Sequence, residues 1–137
     1  MTPVRSALSA PPDADPRMLS GPALRAFFRI AELWGLKAAE QRVLLGSPPE
    51  STFFKWKRAR EGALPRDVHE RISYVLGIYK ALQILFPDPV RADAWVRKPN
   101  QAEPFAGTSA LERMLSGNVA DLYVVRQYLD AQRGGWG

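Results

Sequence analysis

The longest periodic stretch of the chain covers residues 64–86, LPRDVHERISYVLGIYKALQILF. Val68, Ile72, Val75, Leu76, Tyr79, Leu82 and Phe86 recur at the three- and four-residue spacing of one helix face. Tyr74, Ile78, Ala81 and Leu85 form a second apolar set on another face. A helix apolar on two faces is buried between two neighbours, so this stretch predicts a central spine between an N-terminal and a C-terminal module. Pro65 suits the first turn, where its missing N–H costs nothing, and Asp67 favours the positive end of the dipole. Gly77 leaves three readings open: a close helix contact, a kink, or a break into two helices.

Ahead of the spine the pattern is shorter. Residues 1–19 hold Pro3, Pro11, Pro12 and Pro16 among Ala, Ser and Asp without periodicity, which predicts a flexible arm. A helix is expected from Ser20, with Pro22 in its first turn and Leu24, Phe27, Phe28, Ala31 and Trp34 inward, ending at Gly35. Residues 36–46 read as a second helix with Ala39, Val43 and Leu44 buried and Gly46 as its stop. Residues 47–60, SPPESTFFKWKRAR, read as a third, packing through Phe53 and Trp56 with Phe54 as a further candidate. Ser51, Thr52, Lys55, Lys57, Arg58 and Arg60 are left mostly to solvent.

Two short helices around a glycine turn, the second polar and basic, have the organisation of a helix-turn-helix. In that motif the N-terminal residues of the second helix lie nearest the base edges. Ser51, Thr52 and Lys55 are then the candidate base readers, and Lys57, Arg58 and Arg60 the candidate phosphate contacts. The bland alternative is a solvated basic helix face.

After the spine, Pro87 and Pro89 stop the helix, and residues 89–96 make a short one with Ala92, Trp95 and Val96 inward. Residues 99–107 are a loop by their Pro, Asn and Gly content, anchored by Phe105. Thr108 or Ser109 caps the next helix, and Glu112, three residues after Ser109, completes a capping box. Leu111, Met114 and Leu115 face inward before Gly117 closes it, and Asn118 opens the last helix, with Val119, Leu122, Val125 and Leu129 apolar and a stop at Gly134–Gly135. No strand pattern occurs, so the expected class is all-α. Trp136 either folds back onto its helix or anchors a partner.

Composition narrows the function. A net charge of +5 and a pI near 9.9 allow a polyanionic partner. Zero cysteines exclude disulfides and thiolate metal sites and fit a reducing, cytoplasmic setting. The stretch MTPVRSALSAPPDADP has no continuous apolar core and does not read as a signal peptide, and no apolar run approaches membrane length. His69 is the one histidine, so the usual metal and triad geometries lack their parts, and it reads as a surface or interfacial residue. Thr108 and Ser109 lack an activating context and no phosphate loop is present, so neither catalysis nor a cofactor is expected.

Five segments occur together in a known order: HERISYVLGIYKAL (69–82), LFPDP (85–89), W-x-x-x-P-N (95–100), FAGTSALERMLSG (105–117) and VRQYLDAQRGGW (125–136). Over roughly residues 24–136 the chain resembles the Xre/MbcA/ParS antitoxin family. The resemblance implies a non-catalytic type II antitoxin beside a RES-domain toxin that degrades NAD or uses it to ADP-ribosylate a target. It implies a dimer, in a larger complex with toxin, whose C-terminal end sits near the entrance to the toxin's NAD pocket. The matching toxin-binding positions are Ser109, Leu111, Leu115, Arg126, Tyr128, Leu129, Asp130, Arg133, Gly134, Gly135 and Trp136. Retention of KWKRAR in the third helix favours operator binding and autorepression. Ala106 stands where the family often has glycine, and the proline arm is extra.

The expected organisation is an arm (1–19), an Xre-like helix-turn-helix module (20–63), a spine and dimerisation region (64–98) and a toxin-binding module (99–137). The rival reading is a stand-alone helix-turn-helix regulator whose C-terminal module only dimerises.

Overall fold

A computed structural model describes the backbone of residues 16–136 and the side chains of residues 20–134. Its helices, in chain order, are α1 (Pro16–Leu33), α2 (Ala38–Leu44), α3 (Glu50–Ala59), α4 (Arg66–Leu85), α5 (Pro89–Ala94), α6 (Ala110–Met114) and α7 (Val119–Trp136), with a 3₁₀ turn at Trp95–Arg97 after α5. The described residues form no sheet, and the chain is all-α, as its periodicity predicts. None of these helices is long and apolar enough to cross a membrane.

The axis of the fold is α4. Val68, Ile72, Val75, Ile78, Ala81 and Leu82 are all buried along it, and it packs against α1 on one side and α7 and α5 on the other. This is the sandwiched helix that two apolar faces require. The N-terminal core gathers Phe27, Phe28 and Phe53, with ring centroids 5.2 and 6.0 Å apart in edge and tilted contacts. The C-terminal core gathers Trp95, Phe105 and Tyr128, with centroids 5.1–6.3 Å apart.

Gly77 breaks nothing. Helix α4 runs unbroken through it, and a Cβ there would collide with the guanidinium of Arg126, which lies across the glycine from α7. Of the three readings, the close helix contact is the right one.

Several boundaries and faces differ from expectation. The backbone of α1 is helical from Pro16 rather than Ser20, which places Pro22 inside the helix. In α2 the inward polar residue is Gln41, whose Nε2 donates to the Leu36 carbonyl at 2.8 Å, whereas Ala39 is exposed and Val43 half-buried. The third helix begins at Glu50, because Ser47 turns with φ 56° and Pro49 is its cap residue. It ends at Ala59, and Arg60 is a left-handed C-cap rather than a helical residue. Phe54 is exposed rather than turned inward. The last helix does not stop at its glycine pair but continues through Trp136. The remaining residues of the proposed arm, 1–15, lie outside the described residues.

Two arginines join the modules across α4. The buried Arg71 bonds Asp67 through Nε at 3.0 Å and donates Nη2 to the Gly117 carbonyl at 3.0 Å. Its side chain also fills the space beside Gly46, so it sits between the α2–α3 turn and the α6–α7 turn. Arg97 reaches back from the 3₁₀ turn to the end of α1, donating to the carbonyls of Trp34 (3.2 Å) and Gly35 (2.8 Å), and pairs with Glu40 at 3.5 Å. Carbonyls at helix ends have no intrahelical donor, and a forked guanidinium supplies two at once.

The recurring sequence motifs build the C-terminal turns. Asn100 closes the 99–107 loop by backbone bonds to Thr108 and Gly107 (3.0 and 2.8 Å), and its side chain accepts from Ala102 N at 2.9 Å. Ser109 caps α6, accepting from Glu112 N at 3.1 Å, so the expected capping box forms and Ser109 is its cap residue. In the S-G-N turn, the Ser116 hydroxyl accepts from Asn118 N at 3.1 Å and donates to Asp121 at 2.5 Å. That bond, with Arg113 at 2.9 Å, holds the Asp121 carboxyl below the usual carboxylate range despite partial burial.

Ala106 occupies the left-handed region at φ 51°, a conformation that strains any residue bearing a Cβ. Ala106→Gly is therefore expected to raise the unfolding free energy by about 1 kcal/mol, the relieved strain exceeding the added entropy of the unfolded chain. Urea unfolding of the two chains checks this, and an equal or lower midpoint for the glycine variant would refute it.

Candidate functional site

Two surfaces carry the residues singled out by the sequence. The first is α3. Arg42 Nε donates to the Pro48 carbonyl at 2.6 Å and so pins the α2–α3 turn, where Gly46 (φ 92°) and Ser47 reverse the chain. Phe53 and Trp56 bury the inner face of α3. At about 100° per residue, Ser51, Phe54, Lys55 and Arg58 then share the outer face, and all four are exposed.

The other α3 candidates are more committed within the chain. Thr52 is half-buried beside Leu45, Trp56 and Pro65. Lys57 lies with its ammonium 5.9 Å from the centre of the Phe53 ring. Arg60 donates Nε to the Lys57 carbonyl at 2.7 Å and stacks 4.9 Å from the centre of the Phe28 ring. Its charge thus caps α3 as well as adding to the basic face.

His69 ties α4 to the start of α1 through a 3.2 Å bond between its Nε2 and the Ser20 hydroxyl. Its half-buried position is that of an interfacial residue, as read from the sequence. Desolvation lowers its pKa below the ordinary 6.5.

The second surface is the α6–α7 end. The structure separates its candidates by depth. Ser109, Leu111 and Leu129 are buried, the first as the α6 cap and the others in the core. Leu115, Arg126 and Tyr128 are half-buried. Arg126 covers Gly77, and Tyr128 stacks on Trp95 at 6.3 Å and meets Phe105 edge-on at 5.1 Å. Asp130, Arg133 and Gly134 are exposed, with Asp130 within 3.5 Å of Arg126 and 3.7 Å of Arg133. Gly135 and Trp136 belong to α7 by their backbone. The Trp136 side chain lies outside the described residues, and with it the choice between folding back and anchoring a partner.

Gly134 stands apart from the other glycines among the described residues. It is helical, and a Cβ built on it would meet no described residue within 4 Å. A glycine in an exposed helix costs about 0.5–1 kcal/mol relative to alanine. Nothing among the described residues gives a reason for that cost.

Sequence reasoning missed Arg71, Arg97 and the outward Phe54. Arg71 had a signal, since it falls beside the Val68–Ile72–Val75 stripe and four residues after Asp67. Arg97 had none, because the carbonyls it bonds lie over 60 residues away.

Family models match both parts of the chain. Residues 81–135 match the model of the antitoxin Xre/MbcA/ParS C-terminal toxin-binding domain, and residues 13–77 match the antitoxin Xre-like helix-turn-helix domain. The uncharacterized protein y4oB of Sinorhizobium fredii (strain NBRC 101917 / NGR234) is 61% identical over 112 residues, covering 82% of this chain and 84% of that one. A helix-turn-helix module and a toxin-binding module on one helical spine define the class, and the chain belongs to the Xre/MbcA/ParS family of antitoxins.

The His69 geometry makes a pH prediction. Above 6.5 the residue is neutral in both states, and as pH falls the unfolded chain takes up its proton first, so native stability is lost on acidification towards the lowered folded pKa. Between about pH 7.5 and 5.5, above the carboxylate range, the wild-type chain should lose more unfolding free energy than His69→Gln. Parallel urea titrations at the two pH values measure it, and equal losses would remove His69 as the cause.

Proposed function

We propose that this antitoxin neutralises a RES-domain, NAD-consuming toxin by covering the entrance to its active site, and that as a dimer it binds operator DNA and represses its own operon. It would act in the cytoplasm, without a cofactor of its own. The carrying observation is that an outward basic stripe on α3 and an exposed, glycine-bearing end of α7 stand on one packed framework, α3 on α1 and both α1 and α7 on α4, in a chain of this family.

Each surface supports one half of the reading. Lys55 and Arg58 offer exposed positive charge on the helix that a helix-turn-helix inserts into the major groove, with Ser51 and Thr52 at its N-terminal end. A two-fold dimer would set two copies of α3 about one DNA turn, roughly 34 Å, apart on a palindromic site. At the other surface, Gly134 lets another backbone approach α7 closely. Arg133 and Asp130 can make charge-assisted bonds there, while Ser109, Leu111 and Leu129 hold the module in shape.

Co-expression with the product of the adjacent gene, followed by pull-down and an NAD-consumption assay, tests the toxin half. Full-length chain should block turnover in a stable complex, and deletion of Gly134 to Gly137 should weaken the block while leaving DNA binding intact. A complex-free chain that still bound its promoter would be a stand-alone regulator instead.

The DNA half has its own test. Changing Lys55, Lys57 and Arg58 together to alanine should weaken promoter binding and lower the log–log salt slope by about 0.9 for each phosphate no longer neutralised, with toxin neutralisation unchanged. Loss of toxin neutralisation by a folded triple variant would show that the two surfaces are not separate.

A further inference from the structure

On the outer face of α3 one residue is out of character. Phe54 is 46% exposed, in line with Ser51, Lys55 and Arg58, while the adjacent Phe53 is fully buried. Its ring stands edge-on against Phe53, with centroids 5.0 Å apart and planes at 71°. The buried ring therefore props the exposed one, which loses little further freedom on docking. A single exposed apolar side chain is common on protein surfaces and needs no explanation by itself. Here its setting narrows the choice. It lies in the first half of the helix, the part that reaches base edges in a helix-turn-helix. The cations beside it, Lys55 and Arg58, favour a polyanion over an apolar protein face.

A major groove presents one apolar group to such a ring, the C5-methyl of thymine, which is absent from the minor-groove pattern and from uracil. We propose that Phe54 is a base-reading residue of this antitoxin, its ring packing on a thymine methyl in each operator half-site. The assignment rests on the operator-binding reading above and adds a specificity determinant to it. Ser51 and Lys55 would read polar edges, and Phe54 the methyl that polar groups cannot detect.

The test is a double-mutant cycle between protein and DNA. Full-length chain, Phe54→Ala and Phe54→Leu are titrated against duplexes from the region upstream of its own gene, with each thymine replaced in turn by deoxyuridine. For wild type, one substitution per half-site should weaken binding about fourfold, the effect of one buried methyl group. Phe54→Ala should bind the thymine duplex at least fourfold more weakly and be indifferent to that same substitution. Its salt slope should match wild type, since no charge is removed. Phe54→Leu should keep part of the methyl sensitivity, and matching thermal melts would show that both variants fold.

Equal uracil sensitivity in wild type and Phe54→Ala would overturn the assignment, as would an unaltered affinity in Phe54→Ala. Loss of self-association or of toxin binding by Phe54→Ala, with operator titrations unchanged, would place the ring in a protein interface and also overturn it. A wild-type chain that bound none of the duplexes would instead refute operator binding itself, and the role of Phe54 with it.

Discussion

The structure depends on one helix satisfying two cores at once. Val68, Ile72, Val75, Ile78, Ala81 and Leu82 fill both sides of α4, so neither module can bury its apolar surface without it. The two family domains meet within α4, one ending at residue 77 and the other beginning at 81. Their boundary is thus a shared element rather than a linker. The placement of α3 relative to α7 follows from side-chain packing, α3 on α1 and both α1 and α7 on α4, rather than from a loop.

Arginine supplies the polar side of the same arrangement. Arg71, Arg97 and Arg113 each donate to backbone carbonyls at turns or helix ends: Gly117, Trp34 with Gly35, and Pro104. Short helices leave a large share of their carbonyls without intrahelical donors, and this chain has several helices of ten residues or fewer. Guanidinium groups meet that need, and Asp67, Glu40 and Asp121 stand beside them to pair their charge. Arg126 differs, lying flat over Gly77 and binding α7 to α4 by shape.

The two functional surfaces differ in how they relate to this framework. On α3 the outer stripe is exposed, its one aromatic ring resting on Phe53, and it is available to a partner as it stands. At the α6–α7 end, several of the motif residues are needed by the fold itself. Ser109 as a cap, Leu111 and Leu129 as core, and Tyr128 as a stacking partner shape the module that presents Asp130, Arg133 and Gly134. A run of residues shared with a family therefore mixes those that build a surface with those that meet the partner.

By itself the sequence determined the all-α class, the sandwiched spine, the capping box at Ser109 and the two-helix turn ahead of α4. Each of these rests on local spacing, capping chemistry or turn residues, which act within a few positions of the chain. Tertiary structure decided the rest. Gly77 became a seat for Arg126 only when α7 was laid across it, and Arg97 found the end of α1 over 60 residues away. Phe54 was left outside because Phe53 and Trp56 already fill the inner face of α3. The helix carried on through Gly134 and Gly135, although glycine after a periodic run usually signals a stop. The outcomes at Gly77 and Arg97 turn on which distant surfaces meet, and a periodicity of three to four residues holds no record of that.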